Sequence, residues 1–128
     1  MNDRLGVLGG MGPQATNTFY QLVIDRTDAR TDQGHVNALI LSDCHMPDGT
    51  AAILGTAEEQ EAVFRRLLAD ARLLEGAGCT VLAVPCNTSH FFLDRVQEHI
   101  GVPILNMIRE TAAALKRQGR TRPGILAT

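Results

Sequence analysis

Thr80-Val81-Leu82-Ala83-Val84-Pro85-Cys86-Asn87-Thr88-Ser89-His90 is the stretch on which the reading of the fold turns. After Thr80 it is an unbroken apolar run of strand length. It then changes to a polar turn, and a helical pattern continues from Ser89 to about Ile100. An apolar strand without polar alternation is buried on both faces, which is the mark of a parallel sheet. A strand leading through a short turn into a helix is the first part of a βαβ unit.

The same arrangement recurs on either side. Leu5-Gly6-Val7-Leu8 is a short strand, Gly9-Gly10-Met11-Gly12-Pro13 a turn, and Pro13 suits the first position of a helix that runs to about Arg26. Phe19, Leu22 and Val23 lie along one side of that helix. Val36 to Leu41 reads as the second strand and Ser42 to Thr50 as a loop. A long helix is predicted over Ala57 to Glu75, with Val63, Leu67, Ala71 and Leu74 at helical spacing and Gly76 and Gly78 as its stop. Val102 to Leu105 reads as a fourth strand. Asn106 then caps a helix ending near Gln118, with Ile108, Ala112 and Leu115 inward. Gly124 to Ala127 reads as the start of a fifth strand. The expected fold is α/β: a parallel sheet with helices on both faces, a flavodoxin-like three-layer sandwich. Ligands of such sheets sit outside the carboxyl ends of the strands. Those ends carry Gly9 to Gly12, Ser42 to Thr50, Pro85 to Ser89, Asn106 and Thr128.

Composition narrows the function. The chain has 128 residues, 45% of them hydrophobic and 20% charged, which fits one globular domain and excludes disorder as the main state. A net charge of −2 argues against a basic nucleic-acid face. No apolar run approaches the ~20 residues of a membrane span. The N-terminus passes directly into a strand, so no signal peptide is expected. The cysteines, at 44, 79 and 86, are odd in number and cannot all pair within the chain. A reducing cytoplasm is the expected compartment, and a reactive thiol becomes the question.

Three motifs could carry chemistry. Cys86 stands at a strand tip just before a helix, where free N–H groups and a partial positive charge favour a thiolate. Asn87, Thr88 and Ser89 add short donors suited to a carboxylate; the bland alternative is a buried, inert cysteine beside an ordinary cap. Gly10 and Gly12 precede a helix, a place for an anion. Gly10-x-Gly12-x-x-Ala15 also fits the dinucleotide fingerprint, a weak signal because Asp43, its candidate acidic partner, lies farther along than usual; the bland alternative is a turn for close packing. Asp43, Cys44 and His45 crowd one loop without the spacing of a metal site. Cys79, at the far end of its strand from Cys86, reads as structural.

Together these segments resemble the aspartate/glutamate racemase superfamily, aspartate racemase branch. The resemblance rests on Gly6 to Pro13, Asp32-Gln33, Pro47-Asp48-x-Thr50 through Gly55, Pro85-Cys86-Asn87-Thr88-x-His90 and Pro103 to Ile108. It is colinear over essentially the whole chain. It implies a cofactor-independent isomerase of two pseudo-symmetric domains, in which one cysteine from each faces the α-carbon of an amino acid. One takes the α-proton and the other returns a proton to the opposite face. Residues 1–128 then correspond to the N-terminal-type domain, one half of a two-domain racemase, with the second catalytic domain and its cysteine absent. By the same resemblance Cys86 is the catalytic cysteine. Gly10, Met11, Asn87 and Thr88 line the substrate pocket, and Asp48 and Thr50 belong to the loop that grips the substrate carboxylate. The family usually carries Arg where this chain has Gly49, and losing that guanidinium removes a bidentate clamp.

The expected activity is therefore amino-acid racemisation, with hydantoin racemase-like or maleate isomerase-like chemistry as the nearest enzymatic alternative. A non-catalytic ligand-binding or regulatory domain on the same fold is the alternative from another class. The expected partners are an amino-acid substrate and, at most, a second copy of the chain in a homodimer. Neither nucleic acid nor a membrane is expected as a partner, and no cofactor or metal. The isolated chain is expected to lack racemase activity.

Overall fold

A computed structural model describes residues 2–126. Four parallel strands form one sheet in the order β2-β1-β3-β4. In chain order the elements are β1 (Leu5–Gly9), α1 (Pro13–Asp25), a short 3₁₀ turn (Asp32–Gly34), β2 (Ala38–Ser42), α2 (Gly49–Leu54), α3 (Ala57–Gly76), β3 (Val81–Ala83), α4 (His90–Gln97), β4 (Ile104–Leu105) and α5 (Met107–Arg117). β1 is central, pairing Val7 with Ile40 of β2 on one side and with Ala83 of β3 on the other.

Side chains of β1 alternate between two unequal cores, as the pleat requires. Leu8 faces the larger one, where Val63, Leu67, Ala71 and Leu74 of α3 meet Leu82, Phe92, Leu93 and Val96. The α3 stripe is thus the one its spacing predicts. A capping box starts this helix: Thr56 accepts from the Glu59 amide, and the Glu59 carboxylate accepts from the Thr56 amide. Gly78, at φ +86°, turns the chain out of it, and the Cys79 amide donates back to the Leu74 carbonyl. Leu5 and Val7 face the smaller core, with Ala83 and the half-buried Phe19 and Val23 of α1. Helices cover both faces, as expected.

Several expectations are corrected. The loop after β2 is shorter than predicted, because Asp48 caps a separate helix, α2, by accepting from the Ala51 amide. Ile108, Ala112 and Leu115 do not point into a core: Ile108 is 51% exposed and no residue of α5 is buried. The helix instead borders an apolar groove of about 350 Å³ lined by Phe19, Leu105 and Ala114, so no neighbouring element among the described residues covers its apolar face. The fifth strand is not formed over Gly124–Leu126. A strand exists through ladder hydrogen bonds, and this segment joins no ladder. Ala127, placed in that strand, and Thr128, placed on the rim, lie outside the described residues.

Candidate active site

The carboxyl ends of β1, β2 and β3 converge on a cavity of about 250 Å³. Gly10 and Met11 border it from the turn after β1. Met46, Pro47, Asp48, Gly49 and Thr50 border it from the segment joining β2 to α2. Cys86, Thr88 and Ser89 border it from the segment after β3, and Val63 of α3 closes it below. Six of the seven residues singled out in the sequence therefore meet at one place. Asn87, the seventh, lies between two lining residues without bordering the cavity itself.

Each wall is held by its own local chemistry. Gly10 has φ +96°, a conformation L side chains rarely adopt. A Cβ there would stand 2.4 Å from the backbone of Asp43, so β1's turn and β2's continuation touch main chain to main chain. The Gly10 amide donates to Oγ1 of Thr16 at 2.8 Å, and that hydroxyl donates to the Gly12 carbonyl. Gly10 therefore has no amide left for an anion. The Ser89 hydroxyl reaches Sδ of Met11 at 3.3 Å and ties the first wall to the third.

His90 sits one turn beyond Cys86 but does not serve the thiol. Its Nδ1 is 2.8 Å from the Cys86 carbonyl oxygen, and its Nε2 accepts from the Met107 amide at 2.9 Å. Accepting at Nε2 places the ring proton on Nδ1, which donates to the carbonyl. The buried imidazole is a strut between the cysteine segment and the start of α5.

The three thiols occupy different environments. Cys86 is half-buried on the cavity, Cys44 is exposed and does not border it, and Cys79 is buried. Burial pushes the Cys79 thiol up from its ordinary pKa.

A charged cluster under the second wall escaped the sequence reading. Asp43, 8% exposed, receives two hydrogen bonds from the Arg66 guanidinium and one from the His45 amide. The Arg66 hydrogen bond is the main reason its carboxyl lies near 2. Asp70, also 8% exposed, lies within hydrogen-bonding reach of Asp43, and burial, followed by that neighbour, pushes its carboxyl up to about 6. The only available signal was the i, i+4 spacing of Arg66 and Asp70 on α3, which reads equally well as a solvated helix face.

Comparison with known proteins gives the family and the fold. The family profile described as Asp/Glu/Hydantoin racemase matches residues 8–128. The chain belongs to that family. It is 32% identical over 111 residues to the broad specificity amino-acid racemase RacX of Bacillus subtilis (strain 168), covering 84% of this chain and 47% of RacX. Its fold is similar to that of an aspartate racemase from Picrophilus torridus, with a TM-score of 0.78 and 33% identity over 91% of this chain and 48% of the other. An aspartate racemase homologue from Pyrococcus horikoshii OT3 shares the fold at a TM-score of 0.72 and 24% identity, over 93% of this chain and 50% of the other. The chain thus spans about half the length of these relatives. Among the described residues, no helix is long and apolar enough to cross a membrane.

Proposed function

We propose that this chain forms one catalytic half of an aspartate/glutamate-type amino-acid racemase and that Cys86 is its proton-transferring thiol. The observation that carries this reading is the position of Cys86: half-buried on the cavity at the carboxyl ends of parallel strands, with Thr88, Thr50 and Asp48 on the same surface. A substrate α-carbon held there would give its proton to the Cys86 thiolate, leaving a carbanion. A second acid, on the opposite face, would return a proton to that carbon. None of these steps calls for a cofactor. Cys44 is not suited to be that second acid, because it does not border the cavity. Two-base racemisation therefore needs a wall that this half does not supply.

A non-catalytic ligand-binding domain is the second reading. It is favoured by Gly49, which leaves the cavity mouth without a guanidinium.

Incubation with L-aspartate in D2O, followed by NMR and chiral chromatography, separates the two. The expected result is slow α-deuteration with retention, abolished by Cys86→Ser, and no D-aspartate from this chain alone. L-Aspartate should also slow iodoacetamide labelling of Cys86 and leave Cys44 unaffected. Protection without deuteration would favour the ligand-binding reading. Neither protection nor deuteration would overturn both. D-Aspartate formed at a rate lost in Cys86→Ser would show that a second wall is not needed.

A further inference from the structure

Asp70 has no role in the proton transfer proposed above, yet it is buried, ionisable and adjacent to the residue that anchors the second wall. Its Oδ2 is buried with no hydrogen-bond partner among the described residues. The neighbouring carboxyl, Asp43, already accepts three hydrogen bonds and keeps one acceptor site free. Oδ2 of Asp43 accepts from Nε of Arg66, and Oδ1 accepts from Nη2 of Arg66 at 2.8 Å and from the His45 amide at 3.1 Å. Two carboxylates in contact repel each other, and the one guanidinium beside them, itself half exposed, hydrogen-bonds only the first. A proton on Asp70 resolves this, because it turns an orphaned acceptor into a donor toward Asp43.

We propose that Asp70 is a positioning residue. Its proton, held against Asp43, clamps the Asp43–Asp48 wall of the cavity onto α3, and loss of that proton releases the wall.

Of the titratable groups around the pair, the exposed imidazole of His45 shares a segment with Asp43, and the others lie elsewhere or are committed. β1, β2 and α2 contain no titratable side chain in their spans. On α3, Arg66 is committed to Asp43, and Glu61 to Arg65 and Arg95. On α4, Asp94 pairs with Arg109, and His90 bonds the Cys86 and Met107 backbones. His99, just beyond α4, stacks on Phe64. The consequence reaches the site through main chain. The Asp43 amide donates to the Gly9 carbonyl, and its backbone abuts Gly10, so a shift of Asp43 is felt on the first wall as well as the second. The inference concerns the wall itself and does not depend on what the cavity binds.

The test is NMR of the chain labelled with 13C-aspartate and 15N, titrated from pH 4.5 to 8, with Asp70→Asn and Asp70→Ala alongside, each also carried in a His45→Gln background that removes the imidazole's own effect on the amide of residue 45. The Asp70 carboxyl resonance should titrate about two pH units above the ordinary carboxylate range, and the amides of His45 and Gly10 should shift with the same midpoint. Amide exchange at His45, corrected for its intrinsic pH dependence, should rise above that midpoint. In Asp70→Asn, whose amide keeps a donor toward Asp43, the step at His45 and Gly10 should vanish and protection should persist to pH 8. Asp70→Ala should show raised exchange at every pH. An unfolded Asp70→Ala leaves the asparagine variant to decide. An Asp70 that titrates like an ordinary carboxylate, a His45 amide indifferent to its titration, or a step that survives in Asp70→Asn would each overturn the clamp.

Discussion

Nε2 of His90 accepts a 2.9 Å hydrogen bond from the backbone amide of Met107, while the other ring nitrogen holds the Cys86 carbonyl. One buried side chain thus joins the segment bearing the candidate nucleophile to the first turn of α5. Neither backbone group has another element's ladder to join.

Truncating that strut should be costly. His90→Ala leaves two partly buried groups, the Cys86 carbonyl and the Met107 amide, without their partner, a loss of about 1–3 kcal/mol. Urea unfolding should show it as a lower midpoint at unchanged slope. His90→Gln, which can restore one of the two bonds, should recover part of the loss. An alanine variant as stable as the parent would mean that water replaces the ring at no cost.

Glycines in this chain should separate cleanly by environment. Gly10→Ala combines a positive φ with a Cβ 2.4 Å from the Asp43 backbone and should destabilise by about 3 kcal/mol or more. Gly76→Ala, at the end of α3 with no atom within 4 Å of the new Cβ, should stabilise by about 0.5–1 kcal/mol. Thermal unfolding of the two variants beside the parent checks both signs.

The two carboxyls under the second wall set opposite limbs of the pH profile. Asp43 is depressed from 3.8 to about 2, so its contribution is present above the unfolded value and is lost as pH falls through about 2. Asp70 is raised to about 6, so its contribution is present below 3.8 and is lost as pH rises through about 6. The pair therefore favours the fold most near pH 4, and its contribution declines from there toward pH 6. Arg66→Gln should move the acid limb up toward the ordinary carboxylate range, and Asp70→Asn should flatten the upper limb. Midpoint temperatures measured across pH 2–8 would show both.

Gly49 offers a gain-of-function test. It borders the cavity, and a Cβ there would approach only Cγ2 of Thr88, at 3.3 Å, a contact that a small side-chain shift relieves. Gly49→Arg should fold and should place a bidentate carboxylate donor at the mouth. Calorimetry should find L-aspartate and L-glutamate bound about tenfold or more tighter, with L-alanine less affected. Equal changes for all three would show that the guanidinium does not reach the side-chain carboxylate.

Element order, the parallel sheet and the gathering of Gly10, Met11, Asp48, Thr50, Cys86 and Thr88 on one rim were legible from local pattern. Each strand is apolar and short, each turn holds its own glycine or proline, and the α3 stripe repeats at helical spacing. Parallel topology then places every strand's carboxyl end on the same side. α2 was hidden because its start depends on one side chain, Asp48, closing onto the Ala51 amide within what reads as a loop.

Partners far apart in the chain are another matter, because residue type alone does not say which polar group meets which. His90 stands one helical turn from Cys86, and only the tertiary structure shows its ring consumed by the Cys86 carbonyl and by Met107, brought to it by the path of the chain through β4. Asp43 reads as a loop acid, and Asp70 carries no local signal that sets it apart from the other acids of α3. Packing α3 across the sheet buries the two carboxyls beside the half-exposed Arg66, and the Arg66 hydrogen bond on one and burial on the other make a pair that differs by several pH units. Ile108 reads as core from its periodicity and lies exposed, because periodicity marks an apolar face, while the neighbours in space decide whether that face is covered. Local sequence sets backbone direction and hydrophobic phase; desolvation and long-range contact, which set protonation and reactivity, arise only when the layers close.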